Sequence, residues 1–234
     1  MSEAVVNIEF TDLYYEMLAH QVEHGATPAR YTNQPSRLCI SCVREGRCCG
    51  GEQVFDLRRL YGWALPSEAA LAKIAECSPS GVVEIGAGGG YWVMLLQQRG
   101  VDVIAYDPEP PPCVSSWHAG KAWTAVHRGD HRMAAEHPNR TLLLCWPSYD
   151  EPWAAEAVDC YQGDTVVYVG EGFGEGFGEG FGGCTGDDRL HELFGEGLDD
   201  DASTSALFHR VDDVAVPQWD GLHDRLTVYR RQTP

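Results

Sequence analysis

Basic residues are scarce in this chain, and no long apolar run interrupts it. Lysine and arginine account for 17 of the 234 residues against 35 aspartates and glutamates, which gives a formal net charge of −18. Such a charge repels a phosphate backbone and an anionic membrane alike. The basic residues are also too scattered to form a nucleic-acid-binding patch. We therefore expect a small-molecule or peptide partner, with nucleic acid disfavoured and no membrane contact.

Signals for export and membrane insertion are missing as well. No N-terminal stretch has the pattern of a signal peptide, and no run approaches the ~20 apolar residues that span a bilayer. The 9 cysteines are odd in number and dispersed, which does not suit a secreted disulfide framework. We expect an intracellular, cytoplasmic protein whose thiols are mostly reduced.

The four cysteines that lie close together in the sequence are all in the first part of the chain. Residues 1–53 are interpreted as a helical arm followed by a linker that contains Cys39, Cys42, Cys48 and Cys49. A Cys-x-x-Cys pair is half of a zinc site, but two adjacent cysteines do not easily complete one tetrahedron, and no second pair follows. A metal site and a labile disulfide stay open as alternatives. Free or packed thiols are favoured, and no metal site is predicted.

Residues 54–234 are interpreted as one domain. The chain is 44% hydrophobic and long enough for one α/β domain, but too short for two of ordinary size. Its most informative stretch reads GVVEIGAGGGYW, at residues 81–92. A short apolar strand (residues 82–85) runs into glycines and then into a helix (residues 91–99) that Gly100 ends. A glycine-rich turn between a strand and a helix directs backbone N–H groups at a ligand, so it favours a nucleotide-like molecule.

A carboxylate stands where such a ligand would need one. The second strand (residues 101–106) ends at Asp107, about 20 residues beyond Gly86, where nucleotide-binding folds place an acid that binds ribose hydroxyls. The dinucleotide pattern G-x-G-x-x-G fails, because Tyr91 occupies the place of its third glycine.

The pattern present is Glu84-x-Gly86-x-Gly88-x-Gly90, which resembles the first motif of the class I methyltransferases that use S-adenosylmethionine (SAM). Three further segments, residues 61–66, 144–149 and 219–226, make the chain similar to a poorly characterised family of methyltransferase-like proteins.

The resemblance implies a Rossmann-like α/β fold, with five parallel strands and a C-terminal antiparallel pair in one seven-stranded sheet, and SAM as the cofactor. The last two strands are placed at residues 206–211 and 225–230. The resemblance also implies that Asp107 binds the ribose and that Asp130, after a third strand at residues 123–127, meets the adenine. Tyr61 and Trp63 are candidates for the wall at the methionine end, with plain core aromatics as the alternative. The full predicted cofactor set is Tyr61, Glu84, Gly86, Ala87, Gly88, Tyr91, Asp107, Asp130 and Trp146.

The loop after the fourth strand (residues 141–146) is predicted to line the site of methyl transfer, since it lies at the switch point of the sheet. Its sequence, Trp146-Pro147-Ser148-Tyr149, is similar to the Asp/Asn-Pro-Pro-Tyr loop of amino-group methyltransferases. It departs at Trp146 and at Ser148, so the usual acceptor for a substrate amine is missing.

A glycine-rich segment follows the fifth strand (residues 164–169). Glu-Gly-Phe-Gly repeats three times from residue 171, and glycine at every second position gives no core and great backbone freedom. Residues 171–197 are therefore interpreted as a flexible loop that starts on the ligand side of the sheet and could act as a lid.

These features together predict a SAM-dependent methyltransferase that transfers the methyl group in line to a small molecule, a protein or a peptide. Tyr149, Trp153 and Trp219 would shape the acceptor pocket, with Tyr149 placed in the catalytic set. His223 and His191 are candidate general bases for a hydroxyl or thiol acceptor. The alternatives are a catalytically inactive interaction module of the same fold and, disfavoured by the acidic charge, an RNA methyltransferase.

Overall fold

The computed structural model describes residues 58–59, 61–173, 185–196, 206–217 and 222–232. The predicted arm and cysteine linker (residues 1–53), Trp219 and the central part of the predicted lid loop lie outside these residues. The assignment of one domain to residues 54–234 stays a prediction. In the part of the chain that is described, no helix combines the length and the apolar composition needed to cross a bilayer.

The described strands form one mixed seven-stranded sheet in the order β3-β2-β1-β4-β5-β7-β6. β1 to β5 are parallel neighbours, whereas β7 runs antiparallel to both β5 and β6. This is the strand order of the class I methyltransferases, and it confirms the predicted fold class with its C-terminal antiparallel pair. The strands are β1 Val82–Ile85, β2 Val103–Asp107, β3 His127–Arg128, β4 Thr141–Cys145, β5 Thr165–Gly170, β6 Phe208–Ala215 and β7 Arg225–Arg231.

The helices are α1 Glu68–Cys77, α2 Tyr91–Gln98, α3 Trp153–Cys160 and α4 Asp188–Leu193, with a 3-10 helix at His131–Glu136. α1 begins just after Ser67, whose hydroxyl accepts the N–H of Ala70 at 3.1 Å and caps the first turn. α2 ends just before Gly100, whose φ of 81° is left-handed and stops the helix there.

The helices cover the sheet on both faces, which gives two apolar layers. α1 and α2 contribute to one layer, together with Val82 and Val103 of the sheet. α3 and α4 contribute to the other, together with Val83 and Ile85. Since β1 is buried along its whole length, its side chains divide between the two layers by strict alternation.

Two strands differ by more than two residues at one end from their predicted bounds. The third strand was expected at residues 123–127 but comprises His127 and Arg128 alone, because the N–H of Trp123 donates to the carbonyl of Gly89 (2.9 Å) instead of joining a ladder. The sixth extends further than expected, to Ala215, with an irregularity between Arg210 and Asp212. As an edge strand it is exposed along most of its length, so its sequence lacks a buried alternation.

Candidate functional site

A cavity of about 580 Å³ opens at the carboxyl ends of β1, β2 and β4. β1 lies between β2 and β4, so this edge is the point where the sheet changes its winding direction. Open α/β sheets bind their ligands in the crevice at this point. The cavity walls come from the glycine turn after β1, residues 58–59 and 61–63, the loop of residues 108–118 and the loop after β4.

The glycine turn is held against β2 by its own backbone. The N–H groups of Gly86 and Ala87 both donate to the carbonyl of Tyr106, at 2.8 and 3.0 Å. Gly86 has a φ of 77°, and a Cβ there would lie 2.6 Å from the ring of Trp153. Glycine is therefore required at this position by conformation and by space. Gly88 also has a left-handed φ, of 53°, but a Cβ there would lie 3.9 Å from His118, an ordinary contact, so glycine is favoured at this position by conformation and not by space.

Asp107 joins the glycine turn to the loop after β2. Its Oδ2 accepts the N–H of Gly88 and its Oδ1 accepts the N–H of Glu109, both at 2.8 Å. The side chain is buried and lines the cavity. Because a carboxylate oxygen has two lone pairs, each oxygen keeps one position at which it can accept a hydroxyl.

Glu84 places a second buried carboxyl in the cavity wall. Burial and, to a smaller extent, the negative charge of Asp107 together raise the pKa of Glu84 to about 8. Within the described residues, Oε2 of Glu84 has no hydrogen-bond partner. A buried carboxyl without a partner is costly to keep, so this atom is a candidate for contact with a cationic ligand group.

Residues 58–59 and 61–63 meet the loop of residues 108–118 at the cavity. The Arg59 guanidinium donates to the carbonyl of Ser115 at 2.7 Å, and the N–H of Ala119 donates back to the carbonyl of Arg59 at 2.9 Å. The indole N–H of Trp63 donates to the carbonyl of Trp117 at 2.8 Å. These contacts join two segments that lie far apart in the sequence into one roof.

His118 lines the cavity, but both of its ring nitrogens are engaged. Its Nδ1 accepts the N–H of Gly120 at 3.2 Å, which leaves the ring proton on Nε2 to donate to the carbonyl of Glu109 at 2.9 Å. His118 therefore holds the shape of the loop, and in this arrangement it offers no free nitrogen to a substrate.

Trp146 directly follows β4 and adopts a left-handed conformation, with φ 53°, which is rare for a bulky residue. Its indole stacks on Trp63 with ring centres 4.8 Å apart. The indole N–H donates to Oδ1 of Asp224 at 3.1 Å. Strained backbone of this kind persists where the surrounding contacts fix it, which makes the end of β4 a candidate functional position.

A second acidic cluster lies behind Trp146, at the start of β7. Asp224 and Glu171 are both fully buried. Burial and the charge of Glu171 raise the pKa of Asp224 to about 8, against the opposing effects of the Trp146 hydrogen bond and the Arg58 charge. Oε1 of Glu171 accepts the backbone N–H of His223 at 2.6 Å, and Nδ1 of His223 lies 3.2 Å from the same oxygen.

The structure brings the predicted cofactor set together and leaves the predicted bases aside. Tyr149 is 61% exposed and does not line the cavity. His223 is held by Glu171 outside the cavity wall, and His191 is buried with Nε2 3.1 Å from the carbonyl of Thr185. The predicted residues that line the cavity are Tyr61, Glu84, Gly86, Ala87, Gly88, Tyr91, Asp107, Asp130, Trp146 and Trp153.

Two of these residues have roles in the fold as well. The carboxylate of Asp130 accepts the N–H of Arg132 at 3.1 Å at the start of the 3-10 helix, and the Arg132 guanidinium lowers the pKa of Asp130 to about 2. Trp153, predicted in the acceptor pocket, packs against Gly86 beneath the glycine turn.

Sequence reasoning missed several residues of the site, namely Arg58, Arg59, Trp117, His118 and Asp224. Their contacts join segments that are distant in the sequence, so no local sequence pattern identifies these residues as part of the site. Asp224 gave the strongest available signal, since it follows the Trp219 and His223 that the sequence had singled out. In the part of the chain that is described, no group of three or more His, Cys, Asp or Glu side chains is placed to hold a metal ion.

No family model and no curated protein matches the chain. Among solved structures, it is similar to Burkholderia thailandensis 1,6-didemethyltoxoflavin-N1-methyltransferase, with 18% identity, a TM-score of 0.43, and 83% of this chain and 85% of that chain covered. CalO1, a methyltransferase in calicheamicin biosynthesis, has 12% identity and a TM-score of 0.42, with 96% and 69% covered. A pericyclic reaction enzyme has 12% identity and a TM-score of 0.43, with 97% and 64% covered. These likenesses concern the fold, and they assign no activity to this chain.

Proposed function

We propose that the chain is a SAM-dependent methyltransferase that acts on a small molecule or a peptide. The observation that carries this proposal is the position of Asp107, whose buried carboxylate binds the glycine turn and lines the same open cavity. A crevice filled by side chains, or an Asp107 turned away from it, would have removed the basis for a nucleoside site. The cavity volume of about 580 Å³ also lies within the range of small-molecule sites.

The residues present fit the polar groups of SAM. Asp107 keeps one acceptor position on each oxygen after its two backbone hydrogen bonds, which suits the two hydroxyls of a ribose. Glu84 offers a buried oxygen without a partner among the described residues, which suits the ammonium of the methionine end. Ionisation of Glu84 would then be favoured by the ligand charge, against the burial that opposes it.

The aromatic walls are the second part of the fit. When bound, SAM supplies a methyl group on a positively charged sulfur, and the protein's task is to align an acceptor and exclude water. Tyr61 and Trp146 line the cavity, and aromatic ring faces attract a cation. Trp63 covers the cavity from above through its contacts with Trp117 and Trp146, which limits the access of water.

A catalytically inactive protein of the same fold is the second candidate. The observation that favours it is the loop after β4. There Trp146 stands where amino-group methyltransferases have an acid or an amide, and its indole N–H is directed at Asp224. RNA as the acceptor is disfavoured by the net charge of −18.

Binding is tested first, by titrating SAM and its demethylated product S-adenosylhomocysteine (SAH) by calorimetry. Asp107→Asn should weaken both ligands by about ten- to a hundredfold, because charge-assisted hydrogen bonds to the ribose are lost. Asp102→Asn is the matched control, since this exposed carboxylate lies just before the same strand, at the opposite edge of the sheet. Absence of binding to the unaltered protein would overturn the proposal.

Turnover needs a separate experiment. The protein is incubated with methyl-labelled SAM and either a metabolite fraction or a peptide fraction of a cell extract, and transfer of the label is measured. Label in one fraction, lost in Asp107→Asn, identifies the acceptor class. SAM binding without transfer to either fraction favours the inactive candidate. The predicted general base is tested by His223→Ala: because His223 is bound by Glu171 outside the cavity wall, transfer and SAM binding should both be unchanged, and a loss of transfer to a hydroxyl or thiol acceptor would support the predicted role.

A further inference from the structure

Exposed aromatic surface flanks the mouth of the cavity. Within the described residues, large apolar side chains are exposed at Val114, Trp117, Tyr149 and Val211. Trp117 lines the cavity and is 46% exposed, and Tyr149 lies in the chain between the lining residues Ser148 and Glu151. Val211 lies on the edge strand β6 and outside the cavity wall, so the observation concerns the two aromatic residues. Single exposed apolar residues need no explanation, but two exposed aromatic residues beside a cavity are typical of a binding surface.

The indole groups at this end present ring surface rather than hydrogen-bond donors. The N–H of Trp63 is bound to the carbonyl of Trp117, and the N–H of Trp146 is bound to Asp224. These two rings therefore have no N–H left for an anionic or carbonyl group of a ligand, and their contribution to recognition is by ring contact.

Acidic side chains outnumber basic ones around the cavity. Glu109 and Glu151 line the cavity with exposed side chains, and neither forms an ion pair with a described residue. Two guanidinium groups also line the cavity: Arg59 binds the carbonyls of Ser115 and His118, and Arg58 lies over the ring of Trp63, 5.6 Å from its centre. Against these two positive groups, the cavity wall contains five carboxyl groups, those of Glu84, Asp107, Glu109, Asp130 and Glu151. A cation is thus favoured at the mouth, and the chain's net charge of −18 adds a long-range attraction.

We propose that the mouth of the cavity, formed by Trp117, Glu109 and Glu151, binds an acceptor molecule that carries both a flat ring and a protonated amine. The ring packs on Trp117, and the amine pairs with Glu151 and lies in the field of Glu109. The ammonium is the group by which the molecule is recognised. This inference rests on the proposed function, in which Glu84, Asp107 and the glycine turn hold the cofactor in the deeper part of the same cavity.

Three probes separate the ring from the charge. Tryptamine has the ring and the amine, indole-3-acetate has the same ring with a negative charge, and hexylamine has the amine without a ring. Each is titrated by calorimetry into the full chain, with and without saturating SAH. Tryptamine should bind at least about tenfold more tightly than indole-3-acetate, because attraction is replaced by repulsion, and also more tightly than hexylamine.

Variants then test the residues. Glu151→Gln should weaken tryptamine about fivefold, which is the scale of an exposed ion pair, and should leave indole-3-acetate no weaker. Trp117→Ala should weaken tryptamine by a similar factor, and Trp117→Phe should retain most of the affinity. Glu192→Gln is the matched control, because this exposed glutamate of α4 lies outside the cavity wall.

The outcomes separate this inference from the proposed function. Equal binding of tryptamine and indole-3-acetate, or no binding of either to a protein that binds SAH, overturns the inference and leaves the proposed function intact. Tryptamine binding that Glu151→Gln and Glu192→Gln change equally also overturns it. Failure to bind SAH overturns the proposed function instead, and the titrations without SAH still decide whether the mouth selects a cationic ring.

Discussion

The two ends of the cavity are built in different ways. At one end, Asp107 reaches Gly88 across 19 residues of sequence, and the strand, turn and helix between them form one continuous unit. At the other end, Trp146 is fixed by Asp224, which lies 78 residues further along the chain. The first end follows from a local motif, whereas the second depends on β7 being placed correctly beside β5.

Each end also contains a buried carboxyl group, and the two carboxyls differ in their partners. Burial raises the pKa of both Glu84 and Asp224 to about 8. Asp224 accepts the indole N–H of Trp146, while Oε2 of Glu84 has no partner among the described residues. The comparison indicates that Asp224 supports the structure of the wall and that Glu84 is available to a ligand. Five predictions test this difference.

The largest effect is expected from Gly86→Ala. A left-handed alanine and a Cβ 2.6 Å from the Trp153 ring should together lower the free energy of unfolding by about 2–5 kcal/mol and abolish SAM binding. Gly100→Ala is the control, because its φ of 81° is also left-handed but no atom lies within 4 Å. It should cost only about 1–2 kcal/mol and leave binding unchanged. Equal costs in denaturant unfolding would refute the close packing under the turn.

Glu84→Gln should change how stability depends on pH. The folded-state pKa of about 8 exceeds the ordinary value of 4.5, so the folded chain keeps a proton that the unfolded chain loses. The free energy of unfolding should therefore fall as pH rises from about 4.5 to about 8 and level off above. Glu84→Gln should reduce this slope by up to about 1.4 kcal/mol per pH unit, and Asp224 should leave a residual slope. Urea unfolding at several pH values checks this, with Glu192→Gln as the control; an unaltered slope would show that Glu84 is ionised in the folded state.

Asp224→Ala should lower the free energy of unfolding by about 1–3 kcal/mol, because the buried indole N–H of Trp146 loses its acceptor. Asp224→Asn keeps an oxygen for that N–H and removes the repulsion from Glu171, so it should be no less stable than the unaltered protein at pH 8 or above. Near-ultraviolet circular dichroism reports whether the stack of Trp63 on Trp146 is kept. An Asn variant as unstable as the Ala variant would assign the effect to charge rather than to the hydrogen bond.

SAM binding at pH 7 should release up to about one proton, since a cation beside Glu84 favours its ionised form. Calorimetry in buffers of different ionisation enthalpy measures the number of protons released. The release should disappear in Glu84→Gln and persist in Asp224→Asn. A release that persists in Glu84→Gln would mean that another group of the site responds to the ligand.

The smallest effect is expected from Tyr149→Phe. The side chain is 61% exposed and outside the cavity wall, so the free energy of unfolding should change by less than about 0.5 kcal/mol and SAM affinity should be unchanged. Thermal unfolding and calorimetry check both values. A clear loss of SAM affinity would indicate that Tyr149 contacts the bound ligand, as the sequence predicted.

The order and type of the core strands could be predicted because each has a local cause. Apolar strands alternate with amphipathic helices, and Gly100 marks a helix end as expected. The predicted strand at residues 123–127 was largely wrong, because its backbone bonds to the glycine turn, a contact between distant segments. The edge strand β6 was longer than predicted, because exposure on both faces removes the alternation on which the prediction depends.

The sequence by itself determined the glycine turn, the acid at the end of β2 and hence the end of the cavity that these two groups form. Close spacing along the chain and the left-handed φ values that only glycine adopts easily leave few other arrangements for these groups. The tertiary structure alone decided that Trp146 turns its N–H to Asp224, that Arg59 and Trp63 bind the loop of residues 108–118 at the cavity, and that Tyr149 faces solvent. Those contacts join segments distant in the sequence, so their partners are chosen by the packing of the whole sheet.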